Sequence, residues 1–226
     1  MHFAHVVLID PKDLGEQFAE ADIEKKVDEM MAPFDYNLEV APYHNYLDSE
    51  EIERMAKHYH TSDLLGLATR MDDWEDCLGG VDEKGLYKLS TRNPKRKWDW
   101  WRIGGRWDGM VSNQPKESED GGFNFSHVHE QLPGNVVLLK AIDHDIDCHS
   151  FITPDGEWHE VQMVYQIGWK APFDAPHRDL TPEQIAANQA SWEEVDTRLE
   201  AAWRIQRLDL FAKYGHCLAV GVDYHS

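Results

Sequence analysis

An α+β fold is what the sequence predicts, on three observations. Phe3 to Ile9 is a short apolar, β-branched run halted by Asp10-Pro11, the pattern of a buried strand. His216 to Asp223 is a second such run near the far end of the sequence. Between them lie helix patterns, one with Ile23, Val27, Met30 and Phe34 on a single face, and one opening at Thr181-Pro182-Glu183-Gln184. The main elements run strand, helix, strand, strand, helix, strand. That is the order of a ferredoxin-like split βαβ arrangement, an antiparallel sheet with helices on one face. One α+β domain is expected over residues 1–226, with a helical insertion at 49–80.

Each element has a local reason. Pro33 ends the first helix. Asn37 to Leu47 is irregular or extended, and Pro42 argues against a central strand there. Ser49 is expected to cap a helix carrying Ile52, Met55, Ala56 and Tyr59. Thr61-Ser62 opens the next, with Leu64, Leu67, Ala68 and Met71 in its stripe and Gly79-Gly80 closing it. Residues 112–124 are polar and Gly-rich and read as a loop. Asn135 to Ile142 reads as a strand, and Ser150 to Val161 as a hairpin around Pro154-Asp155-Gly156. Thr181 caps the last helix, whose stripe includes Val195, Leu199 and Trp203 and which Gly215 stops near Tyr214.

Composition narrows the function classes. The formal charge is −20, from 42 acidic against 22 basic residues. Such a field repels phosphate polymers, so no long nucleic acid is expected as a partner. Cys77, Cys148 and Cys217 are odd in number and far apart, which argues against a disulfide framework and for a reducing, cytoplasmic setting. No run approaches the roughly 20 apolar residues of a membrane helix. Oligomeric state, a homo-oligomer included, stays open.

Two stretches carry candidate chemistry. Six basic residues fall between Arg92 and Arg106, interleaved with Trp98, Trp100, Trp101 and Trp107. Guanidinium groups hold phosphate and stack on indoles, and Gly104-Gly105 allows close backbone approach. Trp101, Arg102, Gly104, Gly105, Arg106 and Trp107 are therefore candidate ligand-binding residues for a small anion; a turn of stacked Trp and Arg is the competing reading. In the second stretch, Asp143 to His149, an extended backbone would align Asp143, Asp145, Asp147 and His149 on one face. His159, Glu160 and His225 are candidate acid/base groups. Asp147, His149 and Asp223 are candidate ligands for a divalent metal, and His127-x-His129 is a further metal-like pair.

Asn93 to Trp107, with its Trp98-Asp99-Trp100-Trp101-Arg102-Ile103-Gly104-Gly105-Arg106-Trp107 core, resembles a motif in small uncharacterised proteins of bacteriophages and bacteria. Thr153-Pro154-Asp155-Gly156-Glu157-Trp158-His159-Glu160 and Val222-Asp223-Tyr224-His225 are similar to two further blocks of that family. The resemblance implies a phage-type accessory protein in the host cytoplasm, countering host defence. It implies no particular reaction. The leading expectation is binding or hydrolysis of a small anionic, nucleotide-like ligand in a Trp/Arg/His pocket. The alternatives are an acidic protein-binding inhibitor or DNA mimic, and a metal-dependent hydrolase of another substrate.

Overall fold

A computed structural model describes residues 1–75, 78–112, 134–162 and 182–226, with backbone alone at 72–75 and 182–192. The chain has the mixed α+β architecture expected. It forms two compact units, one of Met1–Ala32 with Trp98–Ser226 and one of Pro33–Lys97.

The first unit is built on a six-stranded sheet. Its strands are β1 (His2–Ile9), β5 (Trp100–Ile103), β6 (Val136–Leu138), β7 (Ser150–Ile152), β8 (Trp158–Glu160) and β9 (Leu218–His225). The order is β5-β9-β1-β7-β8, with β6 on the same edge of β9 as β5. β1 and β9 pair antiparallel over their full length, from His2 opposite His225 to Ile9 opposite Leu218. The first and last strands therefore lie side by side.

The hairpin departs from a ferredoxin-like order. A split arrangement would set the second hairpin strand beside β1. Here the first hairpin strand, β7, takes that place, parallel to β1, and β8 lies outside it. The apolar pattern explains the choice: Ser150, Phe151 and Ile152 of β7 are all buried, as an inner strand requires, while Trp158, His159 and Glu160 are only half-buried.

The helices of this unit are α1 (Glu20–Met31) and the long α4 (Pro182–Tyr214). Trp203, Leu210, Phe211 and Tyr214 of α4 pack with Val6, Leu8, Phe151 and Ala219 of the sheet. Alternation puts Val7 and Ile9 on the opposite face, yet they are equally buried. Both faces of β1 are thus covered, rather than the one expected. The α1 stripe of Ile23, Val27, Met30 and Met31 is buried, and Trp98 Nε1 donates to Met31 O at its end (3.0 Å). Helix α4 ends at Tyr214 as expected; its cap residue Thr181 lies outside the described residues.

The strand expected over Asn135 to Ile142 is only three residues long. Leu139–Ala141 turns in a short 3-10 helix, which buries Leu139. Among the described cysteines, Cys148 and Cys217 are free and buried. Burial pushes the Cys148 thiol up to about 12, and burial followed by Asp10 and Asp13 pushes Cys217 up to about 11. Thiolate is the reactive form. Both thiols should therefore react with a disulfide reagent at least about a hundredfold slower in native protein than in denaturant. Fast labelling of either in native protein would contradict their burial.

The second unit holds β2 (Glu39–Tyr46), α2 (Ser49–Tyr59), α3 (Leu64–Glu75), β3 (Gly79–Asp82) and β4 (Gly85–Arg92), with strand order β2-β4-β3. The helices expected at 49–80 lie within it, framed by β2, where irregular or extended chain is expected, and by β3 and β4. Pro42 is tolerated because β2 is an edge strand whose register shifts between Glu39 and Tyr43. Asp48, not Ser49, caps α2, accepting from the Glu50 and Glu51 N–H groups while Glu51 returns a bond to Asp48 N–H. Gly79 and Gly80 begin β3 rather than closing α3. A Cβ on Gly79 would collide with the Ala68 carbonyl oxygen, and one on Gly80 with the Tyr87 hydroxyl, so only glycine lets the strand lie so close.

Candidate functional site

The segment from Trp98 to Trp107 runs along the outer edge of β9. Register sets Trp100 opposite His225, Trp101 opposite Tyr224, Arg102 opposite Asp223 and Ile103 opposite Val222. Alternation then splits the segment. Trp100 and Arg102 share a face with Asp223, His225 and His2, and the Arg102 guanidinium lies 5.4 Å from the centre of the Trp100 ring. Trp101 is on the other face, edge-on to Trp98. The stacking partner of Arg102 is therefore Trp100, not Trp101.

Gly104 and Gly105 both have positive φ, at 71° and 63°. Gly104 N–H donates to Gly221 O (2.9 Å) at the junction between β5 and β6. A Cβ on Gly104 would meet the Asn135 amide at 2.6 Å, and one on Gly105 the Asp223 side chain at 2.5 Å. Their closeness serves the protein's own groups, so the Gly-Gly is a corner folded over Asp223. Asn135, wholly buried, pins that corner by accepting from Gly109 N–H (2.9 Å) and donating to Asp108 (2.5 Å). The Arg106 N–H donates to Asp223 Oδ2 (3.1 Å) while its side chain is exposed.

Asp223 is the hub of this end of the sheet. It is wholly buried and accepts from both Arg106 N–H and His2 Nδ1, the latter at 2.9 Å. Beside it, His225 Nδ1 bonds Asp99 at 2.9 Å. A carboxylate only accepts, so each ring donates from Nδ1 and keeps Nε2 for another partner. The two rings lie 5.2 Å apart, edge to face. His2 was not a candidate from sequence, being 223 positions from His225. The antiparallel pairing of the first and last strands is the signal that joins them.

His159 and Glu160 do not belong to this group. From β8 to β9 is three strand spacings, and His159 pairs through Phe151 with Val6, four residues along from His2. The separation is roughly 14 Å across and 13 Å along the strands. His159 instead bridges the hairpin to α4, through Gln206 (3.0 Å) and Thr153 (3.4 Å). Glu160, on the opposite face, accepts from Trp158 Nε1 (2.9 Å). Thr153 donates to Asp155, which also accepts from Tyr214 OH (2.9 Å), so this block ties the turn to the end of α4.

The stretch Asp143 to His149 is a turn, not a strand. Asp143 accepts from Asp145 N–H (2.9 Å), a local bond that competes with extended pairing. Asp143 is taken up by that turn, whereas Asp145, Asp147 and His149 line one cleft. His149 stacks on Phe3 with ring centres 4.4 Å apart. Among the described residues no three His, Cys, Asp or Glu side chains gather to hold a metal ion, and Asp147, His149 and Asp223 form no such group. His127 and His129 lie outside the described residues.

A cleft of about 820 Å³ adjoins the hub, with His2, Phe3, Trp107, Asp147, His149 and Trp203 among its lining residues. It unites parts of both candidate stretches. Four carboxylates line it, Asp145, Asp147, Asp196 and Glu200, against Arg204 and Arg207. Arg204 is paired with Asp145 (3.1 Å), and Arg207 donates to Ile146 O. The cleft is thus net acidic, and the Arg102 side of His2 is where an anion fits.

No family model, curated protein or solved structure matches the chain.

Proposed function

We propose that the protein binds a small anionic, nucleotide-like molecule where β1, β5 and β9 end together. The anion lies beside Arg102 and the two imidazoles, and the ring system enters the adjoining cleft, whose lining includes Trp107 and Trp203. One observation carries this reading. In a chain of charge −20, two carboxylate-held imidazoles and a Trp-stacked guanidinium share one face of neighbouring strands. The resemblance of Asn93 to Trp107 to phage and bacterial proteins supports a phage-type accessory role, in which the ligand is a host signalling nucleotide. Among the described residues no helix is long and apolar enough to cross a membrane.

A thermal-shift screen of nucleotides and cyclic dinucleotides tests this reading. A ligand at about a hundred times its Kd stabilises by about 2.7 kcal/mol, or roughly 5–10 °C in a domain of this size. Arg102→Gln should weaken that ligand about 10- to 100-fold, the worth of one charge-assisted contact. No shift with any nucleotide, or an undiminished shift in the variant, would contradict the assignment.

A further inference from the structure

We infer that His2 and His225 form an acid–base pair that hydrolyses a phosphodiester, with His225 as base and His2 as acid. This deepens the binding reading above and rests on it. The geometry points to two distinct tasks. His225 is the more open ring, its side chain 41% exposed against 20% for His2, and its Nδ1–H is held by Asp99. It is placed to take a proton from water. His2 is held by the buried Asp223 and lines the cleft, where the leaving half of the substrate would sit. Two imidazoles with centres 5.2 Å apart can flank one phosphorus, each reaching an oxygen of its own.

The step balances without a further co-reactant. His225 Nε2 removes a proton from water as the water oxygen forms its bond to phosphorus. The bond from phosphorus to the leaving oxygen breaks, and that oxygen takes a proton from the His2 imidazolium. The products are a phosphomonoester and an alcohol. His225 is left protonated and His2 neutral, and exchange with solvent restores both. Arg102, on the neighbouring strand, stabilises charge on the non-bridging oxygens.

Asparagine at either position keeps a side-chain donor near the place of Nδ1 and removes Nε2, so His2→Asn and His225→Asn preserve the bonds to Asp223 and Asp99. Two substrates separate the roles: a dinucleoside monophosphate, whose leaving alkoxide needs a proton, and thymidine para-nitrophenyl phosphate, whose leaving anion does not. His225→Asn should lower kcat/KM on both by about 100- to 10,000-fold. His2→Asn should cost as much on the dinucleoside but less than about tenfold on the nitrophenyl ester. Equal losses on both esters in His2→Asn would overturn the assignment, as would no turnover of either by the unmodified protein. Tryptophan fluorescence titrated with thymidine monophosphate keeps the two levels apart. Binding without turnover ends the catalytic inference and leaves the site; neither binding nor turnover ends both.

Discussion

Acidification from neutral pH to about pH 4.5 should cost the folded protein about 2.5 kcal/mol through His5 alone. His5 is wholly buried, stacked on Trp158 with ring centres 4.4 Å apart, and bonded through Nδ1 to Ser150 Oγ at 2.7 Å. Burial, with a smaller contribution from His149, lowers its pKa to about 3. The unfolded chain therefore takes up a proton near 6.5 that the folded chain refuses. Stability from this group is complete above the unfolded value and is lost as pH falls toward the folded one. Urea midpoints at the two pH values measure the loss. His5→Asn, which keeps a donor near Nδ1, should lose this component and flatten the dependence. Asp10, Asp82 and Asp155 have pKa values held low by their hydrogen bonds, and their contributions fade only below the ordinary carboxylate range. An identical pH dependence in His5→Asn and the unmodified protein would refute this account.

Asp223→Ala should destabilise by about 3–5 kcal/mol, the cost of breaking a buried charged network by removing one member. The carboxylate accepts hydrogen bonds from His2 and from the Arg106 backbone N–H, under a Gly105 corner shaped to its presence. Its loss strands those donors and leaves a gap beneath the corner. For a domain of this size that is a fall in Tm of roughly 10 °C. Asp223→Asn, which retains one accepting oxygen, should fall about half as far. Arg106→Ala, which keeps the backbone N–H that donates to Asp223, should fall well short of the Asp223→Ala loss. A drop below about 1 kcal/mol for Asp223→Ala would mean the network does not hold the corner.

The elements were legible where local pattern decides them. The apolar run from Phe3, the stripe of α1 and the end of α4 follow from burial and periodicity alone. Strand order was not legible, because nothing in Ser150 to Glu160 says which hairpin strand sits inside except the fuller burial of the first. Asp143 to His149 is not a strand, because Asp143 satisfies its own turn, which no period reveals, yet Asp145, Asp147 and His149 still line one cleft. The site was half legible. Charge contrast and the Gly-Gly drew notice to the β5 edge of the sheet, but the alternation of β5 divides Trp101 from Arg102. His225 was visible as a candidate, whereas His2 needed the β1–β9 pairing. His159 and Glu160 drew notice as titratable neighbours, although successive residues of a strand face opposite ways.

The central claim is that His2 and His225, each fixed through Nδ1, turn their Nε2 atoms toward one ligand. Nitrogen NMR of the histidine side chains, without and with thymidine monophosphate, tests it most directly. The account predicts that both rings protonate Nδ1 when neutral, and that both Nε2 resonances move on ligand addition while those of the buried His5 stay in place. Protonation of Nε2 in either ring, or two Nε2 resonances that ignore the nucleotide, would contradict it.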